Sequence, residues 1–288
     1  MDGRRSHAGT LLLVPSFHEV AVSKLVCGAS IRQKRFGMKR IMLTVAYDGT
    51  NYHGWQIQPN GETIEGILNR CLSELLGEEV TVTGASRTDA GVHALGNIAV
   101  FDTDSPIPAD KMAYALNRRL PEDIKVQKSE EVDGNFHPRH AASRKTYEYR
   151  IYCAPFPMPV RRLYSHFTYV PMEIGCMQEA AVYLTGRHDF KSFCSTEAQV
   201  ETTVRQIDSL DVSMEGKEIV IRVTGRGFLY NMVRIIAGTL MEVGRGHIVP
   251  EEVRRILDAR DRQAAGPTAP ACGLTLVQIS YFDEPGSP

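Results

Sequence analysis

Seven apolar residues, Ile64, Ile67, Leu68, Cys71, Leu72, Leu75 and Leu76, recur at the spacing of one helix face. Thr63 is placed to cap this helix and Gly77 to end it. Leu229, Met232, Ile236, Leu240 and Val243 mark a second long helix over 228–243. Shorter helical patterns cover 106–120, 174–184 and 251–259. Runs rich in β-formers predict strands over 40–47, 80–83, 97–103, 124–128, 146–152, 205–212, 218–224 and 274–281. Neighbouring strands look like hairpin partners rather than members of a strict β-α-β alternation. The expectation is an α+β fold: two lobes of largely antiparallel sheet with flanking helices. The lobes are expected over 38–144 and 145–283, with a short tail over 284–288. No Gly/Ser linker separates them near 140–145, so they are expected to share an interface.

Residues 1–37 differ from the rest. The apolar run Leu11–Val14 stops at Pro15, too short for a signal-peptide core. The segment is basic and nearly free of acids, a faint likeness to an organelle transit peptide. The simpler expectation is an extension without regular structure upstream of Met38. Charge sharpens the contrast. Residues 1–40 hold eight Lys/Arg against two acids, and the remainder holds 25 against 32, a net of −7. A nucleic-acid partner usually announces itself by a basic domain, so such a reading must rest on local clustering here. No run of about 18 apolar residues exists to cross a membrane as a helix. The six cysteines are widely spaced with no C-x-x-C, which reads as free thiols in a reducing, cytoplasmic setting.

Four segments hold candidate chemistry. Gly225-Arg226-Gly227 imitates a dinucleotide fingerprint, but Tyr230 stands where its third glycine belongs, so a tight strand-to-helix turn is expected. His137 and His140 lack a further ligand at metal spacing, so no metal is expected. The loop 84–94 packs Ser86, Arg87, Asp89 and His93 among small residues that admit a flat ligand. Ser86, Asp89 and His93 permit a hydrolase triad, although G-x-S-x-G is missing. Over 137–162, six Lys/Arg including Arg139, Arg144 and Lys145 interleave with Tyr147, Tyr149, Tyr152 and Phe156. Cations for phosphates beside aromatics for stacking are the local pattern of loop-RNA recognition. Tyr147 and Tyr149 share a face, so at least one is expected to be structural.

Arg87-Thr88-Asp89-Ala90-Gly91-Val92-His93-Ala94 resembles the catalytic motif of the tRNA pseudouridine synthase A (TruA) family. Tyr47-Asp48-Gly49-Thr50 with Tyr52 and Gly54-Trp55-Gln56, Phe136-His137 with Arg139, and Tyr147 with Tyr149 resemble further family segments. So do His188-Asp189-Phe190 with Ser192-Phe193, Met232-Val233-Arg234, and Gly266-Pro267-Thr268-Ala269-Pro270. The resemblance runs in order from about Met38 to Phe282. It implies the pseudouridine synthase fold with a catalytic cleft between the lobes. It implies an isomerase converting uridine to pseudouridine in the anticodon stem-loop, at positions 38, 39 and 40 of tRNA. It further implies a homodimer that needs no metal and no cofactor. By resemblance Asp89 is the catalytic carboxylate, and Arg234 pairs with it and lowers its pKa. Tyr147 stacks on the target base, and Arg87 takes the flipped base's place in the stack, with a plain phosphate contact as its competing role. His93, Arg139 and Arg144 are further substrate-binding candidates. The competing readings are a non-catalytic RNA-binding protein and a hydrolase built on Ser86 and His93.

Overall fold

A computed structural model describes residues 37–197 and 200–282. The extension expected over 1–37 lies outside them except for Gly37, as does the tail over 284–288. The first expected lobe supplies β1 (Lys39–Tyr47), α1 (Ile64–Leu76), β2 (Thr83–Gly84), β3 (His93–Thr103), α2 (Met112–Asn117) and β4 (Ile124–Val132). The second supplies β5 (Ser143–Cys153), β6 (His166–Thr168), α3 (Ile174–Val182), β7 (Gly186–Asp189), β8 (Val204–Glu215) and β9 (Glu218–Arg226). After these come α4 (Met232–Gly244), α5 (Glu252–Ala259) and β10 (Leu274–Tyr281).

All these strands join one sheet in the order β4-β1-β3-β10-β5-β9-β8-β7, with β2 on β3 and β6 on β5. The C-terminal strand is therefore the seam between the two halves. β10 runs parallel to β3, pairing Thr275 with His93 and Leu276 with Ala94. It runs antiparallel to β5 over Leu274–Tyr281. The other strand pairs are antiparallel apart from β5 with β6. The described residues accordingly form one compact unit.

Alternation along β1 buries Ile41, Leu43, Val45 and Tyr47 on one face. The predicted stripe of α1 packs into the same core, buried from Ile64 to Leu72 and partly buried at Leu75 and Leu76, with Thr63 accepting from the Gly66 N–H and Gly77 leaving in the left-handed region at φ 71°. Each such large apolar side chain contributes about 1.5–3 kcal/mol when fully buried.

Three expectations differ in detail. Residues 80–82 are not a strand, because side chains of α1 take their amides: Val80 N donates to Ser73 Oγ and Val82 N to Asn69 Oδ1. Over 106–120 there is a 3-10 turn, Ala109–Lys111, and then only the short α2. The long helix starts at Met232 rather than 228, because Gly227 and Asn231 are left-handed at φ 72° and 59°. Gly227 is thus a tight turn after an antiparallel strand, as expected for the false fingerprint.

The segment after α5 lies against α4 with no room between the backbones. A Cβ on Gly238 would sit 1.8 Å from the Pro267 carbonyl oxygen. We expect Gly238→Ala to force helix and loop apart, lowering stability by roughly 1–3 kcal/mol or more in urea denaturation. Gly175→Ala, in open space on α3, is the control and should be neutral or slightly stabilising.

Candidate active site

The loop between β2 and β3 is held by the turn that follows β1. Trp55 N donates to the Thr88 carbonyl, and Gly91 N to the Tyr52 carbonyl. Tyr47 shares a hydroxyl hydrogen bond with Thr88 at 2.7 Å. Asn97 brackets Ser86, accepting from its N–H and donating to its carbonyl. Gly54, at φ 84°, approaches so closely that a Cβ would lie 2.6 Å from the Thr88 carbonyl oxygen. The loop is thus a rigid platform, with Asp89 at its crest.

Asp89 borders a cavity of about 1040 Å³. Its Oδ2 accepts from Arg234 Nη1 at 3.1 Å, and both side chains are only 17% exposed. Arg234 reaches it from the first turn of α4. Its Nε donates to the Ala269 carbonyl at 2.8 Å and its Nη1 also to Asn231 Oδ1 at 2.8 Å. The Ala269 N–H returns a bond to the Arg234 carbonyl. Burial pushes the Asp89 carboxyl up, and Arg234 pulls it down by less, so its pKa lies above the ordinary aspartate value. The expected lowering by Arg234 is present, but desolvation outweighs it.

Tyr147 also lines the cavity, from β5. Its hydroxyl bonds Ser86 Oγ at 2.8 Å, and its ring meets Phe228 edge-on with centroids 5.1 Å apart. Burial pushes its phenol up to about 12, so it stays protonated at neutral pH. Arg87 stands exposed on the cavity rim, without a hydrogen bond or ion pair among the described residues. Arg139 donates from Nε to the Gly84 carbonyl at 2.7 Å. Asp89, Arg234, Tyr147, Arg87 and Arg139 thus share one cleft.

His93 and Arg144 lie elsewhere. His93 is buried behind the loop, its Nδ1 accepting from the Gly49 N–H at 3.1 Å and facing Asp48. Arg144 pairs with Asp208 at 2.9 Å and stacks over Phe282. Strand alternation puts it on the sheet face opposite its neighbour Lys145. Ser86 bonds Tyr147, while His93 turns to Asp48 and Gly49, so no Ser–His–Asp relay is assembled. Among the described residues, no three His, Cys, Asp or Glu converge as a metal-ligand group. Asn231 and the Ala269 carbonyl belong to the site without having been singled out as site residues. In the sequence Ser86 stands out only for a hydrolase triad, and Lys145 only as one of the cations over 137–162; the position of Lys145 two residues before Tyr147 puts it on the same face.

The family model for tRNA pseudouridine synthase matches residues 43–140 and 180–282, and the chain belongs to this family of isomerases. Within it, the chain is 51% identical over 245 residues to tRNA pseudouridine synthase A of Ruminiclostridium cellulolyticum, covering 85% of this chain and 100% of that protein. It is 48% identical to tRNA pseudouridine synthase A of Acetivibrio thermocellus, over 85% of this chain and 100% of the relative. Among solved structures, a chain from a Cbf5-Nop10-Gar1 complex overlaps at TM-score 0.28 and 14% identity, covering 70% of this chain and 54% of that one, too slight a likeness to argue from.

A carboxyl with a raised native pKa costs stability once ionised. That cost is absent below its unfolded value and complete above its native one. We therefore expect Asp89→Asn to melt no lower than wild type at pH 7, the difference shrinking toward pH 4, while turnover falls by roughly 10²–10⁴-fold. A melt well below wild type at pH 7 would contradict this. Arg234→Ala removes the downward pull on Asp89, so the acid limb of its activity profile should move to higher pH. Arg234→Lys should keep more activity than Arg234→Ala, yet far less than wild type, having charge but no planar fork.

Proposed function

We propose that this enzyme isomerises uridine to pseudouridine at positions 38, 39 and 40 of the tRNA anticodon stem-loop, with Asp89 as its catalytic carboxylate. The observation that carries the reading is the Asp89–Arg234 pair at the crest of a rigid loop, in a cleft bordered by Tyr147 and by cations. Arg87, Arg139, Lys145, Arg205 and Arg234 line the cleft among the described residues, against the carboxylates Asp89 and Glu197. This locally basic wall supports an RNA substrate although the chain from residue 41 onward is acidic.

The reaction breaks the N1–C1′ bond, turns the base and joins C5 to C1′, with the C5 proton lost and N1 protonated. Nothing is gained or lost overall. Asp89 acts ionised, either as nucleophile at C1′ or as base toward a ribose proton. Arg234 holds the carboxylate in place and favours its charge. Tyr147 offers ring surface to the base, and Arg87 is free to enter the vacated stack. Homodimerisation and a cytoplasmic setting complete the reading, the latter in keeping with the free thiols of Cys71, Cys153, Cys176, Cys194 and Cys272.

The test is a synthetic anticodon stem-loop, its uridines mapped by carbodiimide labelling after incubation. Mass-neutral conversion at positions 38–40 is expected. Tight binding without conversion would leave an RNA-binding protein instead. Tyr147→Phe should retain most turnover through its ring, while Tyr147→Ala should lose roughly 5–150-fold, the worth of about 1–3 kcal/mol of stacking. Equal losses would assign the role to the hydroxyl on Ser86.

A further inference from the structure

Most described arginines have carboxylate partners. Arg40 pairs with Asp102, Arg144 with Asp208 and Arg222 with Glu148. The wall beside Tyr147 breaks this rule. Lys145 is half-buried there and forms no ion pair among the described residues. Its Nζ donates to the Ala85 carbonyl at 2.8 Å. Arg139 Nε donates to the adjacent Gly84 carbonyl at 2.7 Å. Two cations are thus moored on consecutive carbonyls at the root of the Asp89 loop. Each spends one donor there, leaving two Nζ hydrogens and both Nη groups without a described partner.

Two like charges in a half-dry wall repel each other, and neither has a carboxylate in ion-pair contact, Glu65 acting on Arg139 only from a distance. Such an arrangement is unfavourable in the empty cleft and is relieved when an anion enters it. Alternation along β5 turns Lys145 to the same face as Tyr147, so the anion would lie next to the ring that borders the cleft.

We propose that Lys145, with Arg139, is a phosphate-binding subsite that holds the phosphodiester of the target nucleotide at the root of the catalytic loop. The proposal rests on the RNA reading above and adds to it a residue and a physical consequence. The other charged or titratable groups lining the cleft are His53, Arg87, Arg205, Tyr230, Arg234, Asp89 and Glu197, and Asp89 is already held by Arg234. Burial, and then Arg139, push the Lys145 amine down to about 8. A bound phosphodiester opposes both effects and restores the proton. RNA binding therefore takes up a proton at alkaline pH, and affinity falls as pH passes the value of the free enzyme.

The experiment is fluorescence anisotropy with a labelled anticodon stem-loop RNA at about pH 7 and pH 9, in wild type, Lys145→Met and Lys145→Arg. From a free value of about 8, wild type should lose about tenfold in affinity between the two. Lys145→Met should bind about tenfold more weakly at pH 7, lose little more at pH 9, and show a salt slope reduced by about 0.7–0.9. Lys145→Arg should bind well with little alkaline loss, because its charge does not titrate. Thermal melts confirm folding, and Lys145→Met should gain Tm over wild type at pH 7 by losing an unpaired cation. That gain should fade toward pH 10, as the folded wild type sheds its proton. Wild-type affinity and salt slope in Lys145→Met, or an undiminished alkaline loss in Lys145→Arg, would overturn the subsite. Wild-type RNA binding with this pH and salt dependence but no uridine conversion would instead overturn the isomerase reading and keep the subsite.

Discussion

The hydrogen-bonded ion pair between Asp89 and Arg234 spans 145 residues of sequence, and much of the fold around the cleft serves to make it possible. Asp89 belongs to a loop between β2 and β3, and Arg234 to the first turn of α4. These elements can meet only if the sheet carries both halves in fixed relation. β10 does that by inserting between β3 and β5, parallel to one and antiparallel to the other. The segment leading into β10 carries Ala269, whose carbonyl and N–H both bind Arg234. One stretch of chain therefore closes the sheet and aims the guanidinium.

Close backbone approach is the second constraint. Gly238 admits Pro267 against α4, and Gly54 admits the Thr88 carbonyl under the loop of Asp89. Asn231 takes the left-handed conformation that sets the helix start, and binds both Arg234 and Ser195. Each removes freedom from a residue that contacts Asp89 or its partner. Preorganisation of this kind is what keeps a buried carboxylate with a raised pKa in reach of one cation rather than of water. Its cost is carried by the packed core of the sheet and helices.

Much of this was legible in the sequence where periodicity or small-residue punctuation carried it. The stripe of α1, its Thr63 cap and its Gly77 stop are local signals, and runs of β-formers marked β1, β3, β4, β5, β8, β9 and β10. The loop of Asp89 stood out by its density of functional groups, and Arg234 by resemblance. What escaped depends on long-range contacts. Nothing near Val80 announces that Ser73 and Asn69 will take its segment's amides. Nothing near Phe228 shows that Asn231 will be left-handed and delay the helix. The position of His93 behind the loop, rather than in the cleft, follows from the Gly49 amide on another strand's turn. The short β6 and β7 have too few residues for a period.

Charge shows why composition misleads here. Arg150 is shared among Glu148, Glu215 and Glu218, Arg222 joins Glu148, and Arg161 joins Glu218. A cation bound to a carboxylate projects little field, whatever it adds to a tally. The field that a polyanion feels comes from cations left without carboxylates, and in the cleft these include Arg87, Arg139 and Lys145. An acidic chain can thus present a basic cleft. The half-dry wall matters as much as the count, because a low-dielectric boundary strengthens each remaining charge toward a ligand while penalising it in the empty site. A polyanion entering the cleft would therefore gain binding energy beside Asp89, which is where the proposed reading puts the target nucleotide.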